Sequence, residues 1–86
     1  MLLSEILKSS KLDYTSTNEI DYTKINVIDI TRDTREVIEG SLFIAVIGLK
    51  VDGHDLINDA IEKGAKVIVH SKDISDIKEG VAYIRV

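Results

Sequence analysis

Leu42-Phe43-Ile44-Ala45-Val46-Ile47 is a run of six apolar residues set between two segments of different character. Before it stands Thr31-Arg32-Asp33-Thr34-Arg35; after it stands Gly48-Leu49-Lys50-Val51-Asp52-Gly53-His54. A run that short and continuous reads as a strand buried on both faces. Each flanking segment reads as a loop that follows directly on a predicted strand. In an open α/β sheet, ligands bind outside the carboxyl ends of the strands. The two loops are therefore the candidate site.

Working outward, Asp52 is placed to cap a helix that starts near His54. Leu56, Ile57, Ala60 and Ile61 form its apolar stripe, and Gly64 closes it. Lys66-Val67-Ile68-Val69 is the next buried strand. Strand, helix and strand make a βαβ unit, with parallel strands and a right-handed crossover. Upstream, Lys24–Ile30 reads as a strand, with Ile25, Val27 and Asp29 on one side and Asn26, Ile28 and Ile30 on the other. Val37–Gly40 reads as a turn in which Gly40 takes positive φ.

At the amino end, Leu2, Leu3, Ile6 and Leu7 fall at helical spacing, and the helix they predict ends near Ser9-Ser10 and covers one face of the sheet. Tyr14–Thr17 has the β-branched and aromatic content of a short edge strand. Residues 71–80 are polar and leave room for one helical turn. Ala82–Val86 alternates as a last strand, and the chain then stops without a closing cap, as expected of a domain cut from a longer protein. The expected fold is α/β: a small mixed sheet of about four to five strands with a βαβ unit and two main helices.

With 86 residues the chain makes one small domain. Its apolar fraction of 44% argues against disorder. A net charge of −4 argues against a general nucleic-acid partner, though not against a local anion site. Without cysteine there are no disulfides, thiolate metal sites or cysteine nucleophiles, which fits a cytoplasmic chain. No apolar run reaches the ~18–20 residues of a membrane helix, so no membrane partner is expected. Met-Leu-Leu-Ser-Glu lacks the basic start of a signal peptide.

The loops offer limited chemistry. Asp33, Thr34 and Arg35 supply an acceptor, a hydroxyl and a guanidinium on adjacent residues, the parts of an anion cradle. The alternative is a turn in which Asp33 bonds its own backbone and Arg35 makes a surface ion pair. Gly48 and Gly53 let the second loop approach a ligand, with a helix N-terminus behind it that favours phosphate. Neither Gly-x-x-x-x-Gly-Lys-Ser/Thr nor Gly-x-Gly-x-x-Gly is present. His54 and His70 lack metal-site spacing, so no metal is expected. Asp52 and His54 could act as an acid/base pair, but a histidine there more often hydrogen-bonds locally. No nucleophile–base–orienter set can be assembled, and no catalytic residue is assigned.

Taken in order, the residues Asp33-Thr34-Arg35-x-Val37-x-x-Gly40-x-Leu42-Phe43-x-Ala45, Gly48-x-x-x-Asp52-Gly53-His54-x-x-Ile57-x-x-Ala60 and Gly64-Ala65-x-x-Ile68 form a longer pattern. It resembles the N-terminal domain of the Mur ligases, the ATP-dependent enzymes that build the peptidoglycan peptide stem. The MurE type, which extends UDP-N-acetylmuramoyl-L-Ala-D-Glu, matches better than the MurF type. The resemblance implies that this domain holds the UDP end of the substrate. It implies two further domains, with ATP and Mg serving the full-length ligase and no cofactor in this chain. It also implies activation of the D-Glu carboxylate as an acyl phosphate, followed by attack of an amino acid's amine, often a diamino acid's.

By the same resemblance the substrate-binding residues are Asp33, Thr34, Arg35, Gly48, Leu49, Lys50, Asp52, Gly53 and His54, with Thr34 in the role of the family's serine. Two departures stand out. Thr34 adds a methyl to the usual Ser, and Glu39 replaces the Pro that many members carry before Gly40. Two other classes compete with the UDP-recognition domain. One is a non-catalytic module that docks through an exposed sheet edge and would ignore uridine nucleotides. The other is a free-standing small enzyme using Asp52 and His54.

Overall fold

The computed structural model describes residues 1–10, 14–16, 18, 20–45, 52–74 and 77–86. Helix α1 spans Leu3–Ser10 and α2 spans Ile57–Glu62. The strands are β1 (Thr15–Ser16), β2 (Asp29–Thr31), β3 (Ser41–Ile44), β4 (Val67–His70) and β5 (Ala82–Arg85). They form one five-stranded sheet in the order β1-β5-β4-β3-β2. Neighbours from β2 to β5 pair in parallel, and β1 lies antiparallel on β5 with Thr15 opposite Arg85. The expected mixed sheet, βαβ unit and two helices are all present. Among the described residues no helix is long and apolar enough to cross a membrane.

The period-2 alternation of side chains sorts the core into two layers. Phe43, Ile68 and Tyr83 point to the α2 face, where they meet Ile57, Ala60, Ala65 and Val37. Leu42, Val67, Ala82 and Ile84 point to the other face, beneath Leu3 of α1. Both faces of the three central strands are covered, which is why their sequences read as unbroken apolar runs. Burying six or seven large side chains, each worth roughly 1.5–3 kcal/mol, is the main favourable term for the fold.

Three boundaries differ from expectation. Lys24–Ile30 is not one strand. Asp21 caps a 3-10 turn at Tyr22–Lys24, and the regular ladder begins only at Asp29. The cause is the chain's own amino end: Leu3 N–H donates to the Ile25 carbonyl at 2.8 Å and Val27 N–H to that of Met1 at 2.7 Å. Residues 25–27 therefore pair with Met1–Leu3. Val27 is buried, whereas Ile28 and Ile30 are 61% and 50% exposed along the β2 edge.

β3 ends at Ile44, although Ala45 N–H still donates to the Val69 carbonyl at 2.8 Å; Val46 and Ile47 lie outside the described residues. The helix after the second loop opens with a 3-10 turn, Gly53–Leu56, before α2 begins. The described residues of 71–80 are bends and turns, with no helical turn among them.

Candidate functional site

Two groups of polar side chains stand beyond the carboxyl ends of the strands. The first follows β2. Asp33, in extended conformation, caps the 3-10 turn Thr34–Glu36, its Oδ1 accepting the Arg35 N–H at 2.9 Å. The Arg35 guanidinium folds back onto the same carboxylate, with Nε 3.0 Å from Oδ1 and Nη2 2.7 Å from Oδ2. Thr31 Oγ1 accepts the Asp33 N–H at 3.0 Å. The guanidinium and N–H of Arg35 hold the Asp33 carboxyl down at about 2. Of the expected anion cradle, Arg35 is engaged by Asp33, the local turn and surface ion pair weighed as the alternative. Asp33 orders its loop. Thr34 is half-buried, and its carbonyl accepts from Lys63 Nζ at 3.1 Å, which ties the loop to the end of α2.

The second group surrounds the start of the helix. Asp52 caps Gly53–Leu56, its Oδ1 accepting the His54 N–H at 3.0 Å and lying 2.7 Å from His54 Nδ1. Its Oδ2 pairs with Lys72 Nζ. His54 Nε2 lies 3.0 Å from the Ser71 backbone N and 3.3 Å from that of Lys72, and accepts from both. An imidazole nitrogen that accepts carries no proton, so the His54 proton is on Nδ1 and is donated to Asp52. Lys72, the His54 N–H and the His54 ring together hold the Asp52 carboxyl well below the usual range.

This geometry bears on two readings. Both ring nitrogens of His54 are occupied inside the fold, so the acid/base role loses its free lone pair. At the helix N-terminus the His54 N–H is taken by the Asp52 carboxylate, and the segment opens as a 3-10 turn. An open cavity of about 300 Å³ lies at this edge, lined among others by Asp52, Asp55, Lys72 and Asp73. Three carboxylates against one ammonium make it a poor phosphate cradle.

Gly48, Leu49 and Lys50 lie outside the described residues. Asp33–Arg35 and Asp52–His54 fall in two separate clusters, and among the described residues no hydrogen bond or ion pair joins them. The turn after β4 was missed by sequence reasoning, although Ser71-Lys72-Asp73 directly after a buried strand was the available signal. His70, 1% exposed, closes that turn from behind: Nδ1–H donates to the Lys72 carbonyl at 2.7 Å and the ring meets Tyr83 edge-on at 6.3 Å. Burial holds its pKa below the ordinary histidine value. Asn18 was also missed. Its amide stands in for a strand neighbour, accepting from Tyr83 N–H at 3.0 Å and donating to the Val81 carbonyl at 2.7 Å. Among the described residues no cluster of three or more His, Asp or Glu side chains is placed to hold a metal ion.

A mostly parallel sheet with a helix on each face and polar loops beyond its carboxyl ends is an α/β domain, and its family can be named. The model of the Mur ligase family, described as its catalytic domain, matches residues 24–85. The chain belongs to the Mur ligase family and is of its N-terminal type. A UDP-N-acetylmuramoyl-L-alanyl-D-glutamate–2,6-diaminopimelate ligase of Lactiplantibacillus plantarum is 59% identical over 54 residues, 63% of this chain and 11% of that protein. The ligase of the same name from Clostridium perfringens is 38% identical over all 86 residues, 17% of its length. This chain therefore spans between a tenth and a fifth of those relatives. Among solved structures, MurF from Acinetobacter baumannii superposes with TM-score 0.76 over 99% of this chain and 17% of its own, at 18% identity, which speaks to the fold alone. MurF ligase from Thermotoga maritima, in complex with ADP, gives 0.54 over 62% of this chain and 12% of its own, at 32% identity.

Proposed function

We propose that this chain binds the UDP end of UDP-N-acetylmuramoyl-L-Ala-D-Glu as the N-terminal domain of a MurE-type, three-domain ligase that adds an amino acid, often a diamino acid. The observation that carries the reading is the 38% identity that runs through all 86 residues to a protein named for that reaction. The MurF likeness is 18% identity over 99% of this chain in one structure and 32% over 62% in another, short of the whole-chain 38% match, so MurF is the second choice. ATP and Mg belong to the rest of the ligase. This chain has no Gly-x-x-x-x-Gly-Lys-Ser/Thr loop, and none of its residues is assigned to them. Work in the cytoplasm, without nucleic-acid or membrane partners, fits the absence of cysteine and the net charge of −4.

Within the chain, the Asp33 cap holds Thr34 at the mouth of the first loop, with its hydroxyl as the contact to the uridine diphosphate. The second loop, from Gly48 through Gly53, supplies backbone groups. Binding the distant nucleotide contributes positioning energy to a reaction carried out elsewhere. The exposed Ile28 and Ile30 favour a second reading, a domain-docking edge at β2.

A two-dimensional NMR titration of the labelled chain with UDP, and with UMP and ADP as controls, separates the two. Binding is expected at about 0.1–5 mM, roughly −3 to −5.5 kcal/mol, with shifts at 31–35 and 48–54 that are larger for UDP than ADP. Thr34→Val should weaken UDP about three- to tenfold, the worth of one hydrogen bond. Shifts that ignore the base, or none with UDP in either the chain or the full-length ligase, would refute nucleotide recognition and leave docking.

A further inference from the structure

We infer that His54 is a positioning residue: its ring locks the turn Ser71–Asp73 to Asp52 and so fixes Asp52 and Gly53, the end of the second loop, for that loop's contact with the nucleotide. The inference rests on the uridine diphosphate reading given above.

The geometry is a two-sided grip. On one side Nδ1–H reaches Asp52 Oδ1 at 2.7 Å; on the other Nε2 accepts the backbone N–H groups of Ser71 and Lys72 at 3.0 and 3.3 Å. The ring is 7% exposed, too enclosed to be a solvated surface group. The turn is held from two further directions, by Lys72 Nζ on Asp52 Oδ2 and by His70 Nδ1–H on the Lys72 carbonyl. Two adjacent backbone N–H groups beyond a strand end are the makings of an anion nest. Here His54 Nε2 stands where an anion would stand. The turn is therefore kept from competing for phosphate, while Asp52 and Gly53 are fixed at the end of the loop that is to meet the ligand. Imidazole in water prefers the Nε2–H tautomer, so a ring held as Nδ1–H is a signature of this grip.

The test uses the whole 86-residue chain, labelled with 15N. Long-range 15N–1H correlations of the His54 ring report the tautomer, and amide exchange reports the grip on Ser71 and Lys72. Two variants split the functions. His54→Asn keeps a donor near Asp52 and loses the acceptor; His54→Gln places an amide oxygen near the Nε2 position. The expected results are an Nδ1–H ring in the unaltered chain and, in His54→Asn, exchange at Ser71 and Lys72 about tenfold faster. UDP should bind His54→Asn about three- to tenfold more weakly, and His54→Gln should recover most of both. An Nε2–H ring, or unchanged exchange in His54→Asn, overturns the grip. Faster exchange with unchanged UDP affinity overturns the positioning role and leaves a structural staple. Failure of the unaltered chain and the full-length ligase to bind UDP overturns the nucleotide reading and the positioning role with it, while the tautomer still decides the grip. If His54→Asn fails to fold, the ring tautomer and the His54→Gln exchange data decide it.

Discussion

Gly64→Ala should be among the most damaging single-atom additions to this domain, because two costs fall on one carbon. Gly64 ends α2 with φ +110°, a conformation that costs an L-residue roughly 1–3 kcal/mol. A Cβ built there would lie 2.6 Å from the Glu39 Cα and 3.0 Å from its N. Those are backbone atoms and cannot rotate away, so the turn before β3 must move off the helix, at a further ~1–3 kcal/mol. The displacement also strains the bond from Gly40 N–H to the Gly64 carbonyl, 2.9 Å long. The total is about 2–6 kcal/mol, against a stability of roughly 4–13 kcal/mol for a chain of this length. At about 4–8 °C per kcal/mol, Tm should fall by roughly 8–48 °C in a thermal melt followed by circular dichroism. Gly80→Ala is the control. Gly80 has φ +82°, but nothing lies within 4 Å of where its added methyl would stand, so it should lose only the conformational part, about 1–2 kcal/mol. A Gly64→Ala loss no larger than that of Gly80→Ala would refute the close-approach argument.

Phe43→Ala, at a fully buried position between the sheet and α2, should cost about 3–5 kcal/mol in denaturant unfolding. Asp33→Ala removes both the cap and the Arg35 partner. The Arg35 amide should exchange faster and UDP should bind more weakly, with the melt of the core nearly unchanged. Stability should fall on acidification in two stages. His70 has its pKa lowered, so the unfolded chain takes up protons first as pH drops below about 6.5 and stability declines from there. Asp33, at about 2, and Asp52 have theirs lowered too; their contribution is present above about pH 4 and is lost as pH falls through the folded values. Urea unfolding at pH 7, 5 and 3 checks both stages, and His70→Phe should flatten the first.

Much of the fold was legible because short-range rules agreed with the final packing. The strands at Leu42, Val67 and Ala82 are written in residues buried on two faces, and Asp52, Gly40 and Gly64 announce their caps and turns chemically. Lys24–Ile30 was misread because its β-like composition is local, whereas its hydrogen bonds go to Met1 and Leu3, more than twenty residues away. For the site, Asp33 and Asp52 were legible as loop-ordering carboxylates. The partners of His54 were not, since Ser71 and Lys72 stand seventeen and eighteen residues downstream.

By itself, then, the sequence determined the α/β class, the βαβ unit, the buried strands and the family, since each follows from periodicity, turn chemistry or an ordered set of residues. Only the tertiary structure decided how polar groups were spent. It assigned Arg35 to Asp33, both nitrogens of His54 to the fold, and the N-terminal segment to residues 25–27. Hydrogen-bond partners are chosen by proximity in space, and the order of residues along a chain does not contain that distance.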